Sequence, residues 1–378
     1  MVNLLQKTFN KKKVLVTGHT GFKGSWLAIW LKELGAEVIG YSLDPPTKPN
    51  NFELTKLSEK IIDIRGDILD KEKLNNIFNL HQPEIIFHLA AQAIVLTGFE
   101  NPSKTFETNV QGTINVLETS RNCKSVKTVI VVTSDKCYKD QGMISGYRED
   151  DLLGGSDPYS ASKSMAEIAI NSYIKSFYNS KEGPLLASVR AGNVIGGGDF
   201  ADFRLVPDCM KALMSDKSII VRNPSSVRPW QHVLVPLSGY LTLAERLQEN
   251  RHEYADAWNF GPAEKRGITT KEVVEQLIDV WGEGTWQHVQ QESPKKETVM
   301  LRLNWDKAAH HLSWAPAYNY QDALKSTVDW FKKYYNEKDK IKPDLYSSCV
   351  EQIKHYTQRA IEQKIQWALD IDIDILVS

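Results

Sequence analysis

The first half of the chain alternates between two hydrophobic rhythms. Short apolar runs, several rich in Val and Ile, occupy Lys13–Thr17, Glu37–Ser42, Ile61–Arg65, Glu84–Leu89, Thr128–Thr133 and Leu185–Arg190. Runs of this length and composition predict buried strands. Between them, Gly24–Leu34, Asp70–Leu80, Ser103–Arg121 and Asp157–Tyr178 carry helical spacing. Strands that alternate with helices predict right-handed crossovers and a doubly wound parallel α/β sheet. After Arg190 the pattern loosens. Gly196-Gly197-Gly198-Asp199 reads as a flexible break, Leu234–Leu247 as a helix and Ala257–Gly261 as a further core strand.

This order predicts two interleaved substructures. Residues 1–190 with 233–261 form the first, and residues 191–232 with 262–335 form a smaller α/β domain. Residues 336–378 follow as a C-terminal extension, lysine-rich and then helical, with Tyr346, Cys349, Val350, Ile353 and Tyr356 on one stripe. At its end Asp370–Val377 alternates Ile and Asp, which suits an edge strand, a dimer contact or a disordered end alike.

At 378 residues the chain is long enough for two such units. A net charge of −1 gives no electrostatic case for nucleic acid or an anionic membrane. Lys11-Lys12-Lys13 reads as a solvated strand entry. Cys123, Cys137, Cys209 and Cys349 are widely spaced, so neither a metal site nor a disulfide framework follows from them. The N-terminus lacks the apolar core of a signal peptide, and no apolar run approaches the roughly 20 residues of a membrane span. A reduced, cytoplasmic setting is the expectation.

The first strand runs into Gly18-His-Thr-Gly21-Phe22-Lys-Gly24 and then a helix. Strand, glycine turn, helix is the context of a dinucleotide site. Gly18 permits the tight turn, Gly21 lets backbone approach a pyrophosphate, and Gly24 allows close helix–strand packing. Phosphate would rest on the helix N-terminus. Asp44, twenty residues past Gly24, is placed to accept from a ribose hydroxyl, and no Arg is expected beside it to receive a 2′-phosphate, which favours NAD over NADP.

The wide first gap, Gly-x-x-Gly-x-x-Gly, resembles the short-chain dehydrogenase/reductase family, which implies a Rossmann-type fold. In that resemblance Asp67 and Ile68 correspond to the adenine contact, and Leu89 and Ala90, within His88-Leu-Ala-Ala-Gln92, to the segment along the cofactor. His88 could carry a proton or simply pack in its strand.

Thr133-Ser134-Asp135-Lys136 leaves the carboxyl end of an apolar run, where open α/β sheets bind ligands. Downstream, Tyr159 and Lys163 are four apart on a helical segment, so an ammonium can sit beside the phenol and favour the phenolate. With these residues the chain resembles the extended short-chain group that acts on nucleotide sugars. That likeness implies Tyr159 as the base at a sugar hydroxyl, Lys163 as its partner at the nicotinamide ribose, Thr133 as a hydrogen-bonding group at the substrate oxygen, and Asn109 as a structural residue. It also implies a homodimer, or a dimer of dimers, formed through Ser103–Arg121 and Asp157–Tyr178.

Asp135 and Lys136 stand where nucleotide-sugar 4,6-dehydratases place an acid and a base, commonly Asp and Glu. The Lys, together with Arg228-Pro-Trp230-Gln-His232-Val233, resembles the CDP-glucose branch of that family. The implied substrate is CDP-glucose and the implied reaction is oxidation at C4, loss of water across C5 and C6, and return of the hydride to C6. Lys136 could be the C5 base, if neutral, or a cation that stabilises the C4 enolate. Asn193 matches a diphosphate contact; Arg204, Arg222 and Arg228 are candidate phosphate forks; Trp230 and His232 are candidates for the nucleotide pocket. The competing readings are a different 4,6-dehydratase (dTDP-glucose or GDP-mannose), a nucleotide-sugar 4-epimerase, which needs only Thr133, Tyr159 and Lys163, and a cofactor-binding subunit without catalysis.

Overall fold

The computed structural model describes residues 3–369 except 144, 179–182, 250, 265, 290–301 and 338–344. Asp370–Val377, with its Ile/Asp alternation, lies outside the described residues. Seven strands build the central sheet: β1 Lys13–Thr17, β2 Glu37–Ser42, β3 Ile62–Arg65, β4 Ile85–His88, β5 Thr128–Val132, β6 Leu185–Ala191 and β7 Ala257–Phe260. All their pairings are parallel, and the spatial order is β7-β6-β5-β4-β1-β2-β3. The chain thus winds outward both ways from β1, and the order reverses between β1 and β4. Ligands of open α/β sheets bind outside the carboxyl ends of the strands at such a reversal.

Among the helices, α1 Phe22–Glu33, α2 Gly112–Arg121, α3 Pro158–Ser176, α4 Leu234–Gln248, α5 Tyr320–Glu337 and α6 Tyr346–Glu362 frame the site. The helix expected over Ser103–Arg121 is interrupted: Pro102–Phe106 passes into a π-turn at Glu107–Gln111 before α2 begins. Asn109 lies in that turn. It is buried, its Oδ1 accepts from Gln92 N at 2.8 Å, and its Nδ2 donates to Gln92 O at 3.0 Å and Ser162 Oγ at 2.9 Å. The extra residue of the π-turn therefore turns an amide inward to join the segment after β4 to α3.

One face of the sheet is covered by Val116, Leu117 and Ile170, the other by α1 and α4. Nearly every residue of α1 from Gly24 to Leu31 is buried, the pattern of a helix enclosed on all sides. What encloses it is the segment expected to be an appendage. Trp30 of α1 meets Tyr356 of α6 and Trp367 at centroid distances of 5.9 Å each, and Tyr356 stacks on Trp367. Tyr356 Oη shares a hydrogen bond with Ser238 of α4 at 3.1 Å. The C-terminal helix is thus part of the core. Truncating Tyr356 to Ala should cost about 3–5 kcal/mol, the usual range for deleting a buried aromatic ring. A lowered thermal midpoint would show this; an unchanged midpoint would remove α6 from the core.

The glycine run at 196–198 is equally unlike its expected role. It is buried, a Cβ on Gly197 would fall 2.0 Å from Trp330 Cγ of α5, and Gly197 O accepts from Trp26 Nε1 at 2.9 Å. Gly197 makes room for the Trp330 indole and Gly198 for Asn51, so the run is a packed segment. Among the described residues no helix is long and apolar enough to cross a membrane.

Candidate active site

The turn after β1 is set by two close approaches. Gly18 has φ +76°, and a Cβ there would lie 2.7 Å from Ala90 N; a Cβ on Gly24 would lie 2.1 Å from Gly18 O. Only glycine lets β1, the segment after β4 and α1 come this close. Thr17 reinforces the contact, its Oγ1 accepting from Leu89 N and Ala90 N at 3.2 Å each. No side chain caps the first turn of α1, which begins at Phe22 after Gly21. Orphan backbone donors facing the sheet reversal suit a pyrophosphate. These residues fit a dinucleotide.

Ile68 is buried against Gly112, and its carbonyl accepts from Asn115 Nδ2 at 3.0 Å; Asp67 Oδ1 accepts from Leu69 N at 3.0 Å. His88 is a packed strand residue: Nδ1 shares a hydrogen bond with Thr17 at 2.7 Å and Nε2 one with Thr113 at 3.2 Å. Burial and the Lys163 charge pull it down to about 3, so it stays neutral.

Asp44 is almost fully exposed, and Arg65 Nη1 stands 3.8 Å from it. The expectation that no arginine adjoins Asp44 is therefore wrong. Parallel pairing sets Ser42 opposite Arg65, a proximity invisible along the sequence. Arg65 is already engaged, donating to Asp63 Oδ2 at 3.0 Å and to Leu43 O at 3.2 Å.

At the carboxyl end of β5, Ser134 caps a short 3-10 turn, Asp135–Cys137, by accepting from Lys136 N. The turn carries Asp135 inward, where Ser134 Oγ donates to its Oδ1 at 3.0 Å. Burial raises the Asp135 carboxyl above the ordinary range, while Lys136, Ser134 and Lys23 oppose that shift. Lys136 itself is half-buried. Gly192 closes the far side: a Cβ there would meet Pro229 Cγ at 2.8 Å and Asp135 Oδ2 at 3.1 Å.

Tyr159 and Lys163 lie one turn apart on α3, both buried. The expected pull of Lys163 on the phenol is not what dominates. Burial pushes Tyr159 up to about 12, opposed by the Ser134 hydroxyl and by Arg204. Lys163 Nζ points instead to Val132 O at 3.5 Å, and burial lowers it to about 8 against the pull of Glu167. A second lysine of the site, half-buried, was missed by the sequence reading. Lys23, inside the glycine turn, is lowered to about 8 by burial and by the Arg204 and Lys163 charges. Its only signal was a charged residue between two motif glycines.

The candidate substrate residues divide. Arg204 donates to buried Asp199 at 2.8 Å, and its charge reaches Tyr159 and Lys23. The Asn193 carbonyl accepts from Gln231 N at 3.1 Å. Arg228 and Trp230 line a cleft of about 230 Å³, joined there by Arg266, Arg302 and Glu264, which the sequence reading did not single out. Trp230 Nε1 is buried with no partner among the described residues. Arg222 is exposed just past the short strand Ile219–Val221, and its charge acts on Asp208. His232 does not line the pocket. It is fully buried between Trp26 and Tyr318, at centroid distances of 6.0 and 5.6 Å, and burial lowers it to about 3. The apolar neighbours of its strand, paired to Val194–Ile195, account for that.

The sequence matches the profile of the family described as GDP-mannose 4,6 dehydratase over residues 15–327. The chain belongs to that family. Within this family setting, a CDP-glucose 4,6-dehydratase of Salmonella typhimurium is 43% identical over 341 residues, which span 89% of this chain and 95% of the relative. A dTDP-D-glucose 4,6-dehydratase of Dictyostelium discoideum is 33% identical over 227 residues, 56% of this chain and 50% of that one. Among solved structures, a UDP-glucose 4-epimerase of Thermotoga maritima with UDP-glucose has a TM-score of 0.73 at 24% identity, covering 85% of this chain and 98% of its own. DesIV, a dTDP-glucose 4,6-dehydratase of Streptomyces venezuelae with NAD and TYD bound, has a TM-score of 0.71 at 23% identity over 85% of this chain and 98% of its own. At those identities the two structures share the fold.

Proposed function

We propose that the chain dehydrates CDP-glucose to CDP-4-dehydro-6-deoxyglucose, with NAD bound along the Gly18–Gly24 turn. The observation that carries this reading is the placement of Asp135 and Lys136 on one turn, directly after Thr133 and beside Tyr159 and Lys163. A 4-epimerase has no use for that acid and base. The 43% relative supports the CDP-glucose assignment.

When bound, NAD supplies the acceptor for oxidation at C4 and the donor for reduction at C6. Tyr159 takes the proton of the sugar's 4-hydroxyl, with Thr133 at the same oxygen. Oxidation makes the C5 hydrogen acidic, because it is then alpha to a carbonyl. Lys136, as the neutral amine, removes it while Asp135, whose carboxyl burial shifts toward the protonated form, gives a proton to the departing 6-hydroxyl. Arg204, Arg228 and Asn193 are assigned to the diphosphate, and the unpaired Trp230 Nε1 offers a donor to the nucleotide. Residues 1–190 with 233–261 are assigned to the cofactor, residues 191–232 with 262–335 to the nucleotide sugar, and the cytoplasm is the proposed compartment for its four free thiols.

Purified protein given CDP-glucose, dTDP-glucose and GDP-mannose in turn, with NAD, should form a 4-keto-6-deoxy product from CDP-glucose alone. Equal turnover of another of these sugars would overturn the nucleotide assignment while leaving the chemistry.

A homodimer through α2 and α3 is part of the same reading. Met165 and Ile168 are 46% and 59% exposed on α3, and Leu96 and Phe99 add to the apolar surface nearby. Apolar side chains so grouped mark an interaction surface. Ile168→Glu should convert a dimer to a monomer by light scattering; a dimer that survives unchanged would place the interface elsewhere.

A further inference from the structure

The family resemblance implies Thr133 as a hydroxyl at the substrate, and the structure gives that hydroxyl an inward partner. Its Oγ1 donates to Glu167 Oε1. Glu167 is 2% exposed and lies on α3 one helical turn beyond Lys163, which is itself one turn beyond Tyr159. The other carboxylate oxygen accepts from Ser188 Oγ at 2.8 Å and from Arg190 Nη2 at 2.7 Å. Burial opposes its charge, yet Arg190 with the Thr133 and Ser188 donors holds the carboxyl below the usual range.

The bonds continue in one direction away from the reacting centre. Arg190 Nη1 donates to Tyr138 Oη at 2.6 Å, Tyr138 Oη donates to Asn259 Oδ1 at 2.8 Å, and Asn259 Nδ2 donates to Tyr147 O at 2.9 Å and Asn304 O at 3.0 Å. Asn304 is in the wall of the cleft that holds Arg228 and Trp230. Every side chain from Thr133 to Asn259 is buried. A buried network of this kind, in which Arg190 Nε alone lacks a partner among the described residues, fixes orientation more firmly than its separate bonds would.

We propose that Glu167 is a positioning residue for the C4 step, acting through Thr133. By accepting the Thr133 hydrogen it locks the threonine rotamer and leaves only lone pairs facing the hydrogen that passes between the sugar's 4-hydroxyl and Tyr159. The Arg190–Tyr138–Asn259 strut ties that orientation to the wall of the nucleotide cleft. This inference rests on the dehydratase reading and assigns a residue that the reading does not use.

The test is a double-substitution cycle on the full chain with NAD and CDP-glucose. Glu167→Gln should lower kcat about a hundredfold, the scale for a misplaced reacting group, with KM within about threefold. Thr133→Val should do the same, and the double variant should be no slower than Thr133→Val. Glu167→Asp keeps the charge beside Arg190, withdraws the carboxylate from Thr133 by one methylene, and serves if the Gln variant fails to fold; it too should lose kcat and keep KM. Multiplying effects in the double variant, an unchanged kcat in both Glu167 variants, or a change confined to KM would overturn the proposal. If the unsubstituted chain turns over a different nucleotide sugar, the cycle is run on that sugar. The specificity reading then fails in the parent protein, whereas the role of Glu167 fails only in the variants.

Discussion

Tyr159→Phe is expected to leave the fold intact and to lower turnover of CDP-glucose by about 10²- to 10⁴-fold, the usual contribution of a positioned acid–base group. The ring is buried on α3, so Phe fills the same space and the deletion removes a single oxygen. That oxygen is poorly disposed to ionise unaided, since burial pushes it to about 12. Arg204 and the Ser134 hydroxyl lower it, and the ammonium groups of Lys163 and Lys23 lie in the same site. Both lysines are lowered to about 8, so the cations that favour the phenolate lose their charge before a phenol at about 12 ionises, and kcat/KM should fall as pH rises through about 8. A Phe variant retaining more than a tenth of the parent rate would remove Tyr159 from the C4 step.

Asp135→Asn should have an effect of similar size on a different step. Asn has the same shape and can keep the contacts with Ser134, Gly192 and Pro229, but it carries no proton to give the departing 6-hydroxyl. Turnover to the 4-keto-6-deoxy product should fall by about 10²- to 10⁴-fold. Oxidation at C4 and removal of the C5 hydrogen should continue, because they depend on Tyr159 and Lys136. In deuterated water, recovered CDP-glucose should therefore gain deuterium at C5 while little product forms. Product formation at the parent rate would assign the acid role to another group, and Lys23 would become the first candidate.

The sheet was legible because most of its strands are buried and several stand out as continuous Val- and Ile-rich runs, Lys13–Thr17 and Thr128–Val132 among them. The proximity of Tyr159 and Lys163 was legible because they are separated by one helical turn. Glu167 continues that same four-residue spacing and could have been found by extending it. Other parts depend on pairings between distant segments. Arg65 reaches Asp44 through strand register, and Arg266 and Arg302 join Arg228 in the wall of one cleft. Residue type misled in two places. His232 adjoins a distinctive Arg-Pro-Trp segment, yet the strand it occupies turns it into the core between Trp26 and Tyr318. Three consecutive glycines suggested a flexible break, but the missing side chain of Gly197 accommodates Trp330 and that of Gly198 accommodates Asn51.

The pull of Lys163 on Tyr159 shows a further limit of spacing arguments. Four residues apart guarantees a shared helix face, not a shared hydrogen bond, and Lys163 Nζ is 3.5 Å from Val132 O. The same α3 face carries Tyr159, Lys163 and Glu167 in a row, with Glu167 bonded to Thr133.

The central claim is a redox-neutral dehydration in which the hydrogen removed at C4 ends at C6. CDP-glucose carrying deuterium at C4, incubated with the protein and NAD, tests it most directly. The account predicts CDP-4-dehydro-6-deoxyglucose with the deuterium in its 6-methyl group, read by nuclear magnetic resonance. A C4-epimerised sugar that keeps its 6-hydroxyl, or a 4-keto-6-deoxy product without deuterium at C6, would contradict it.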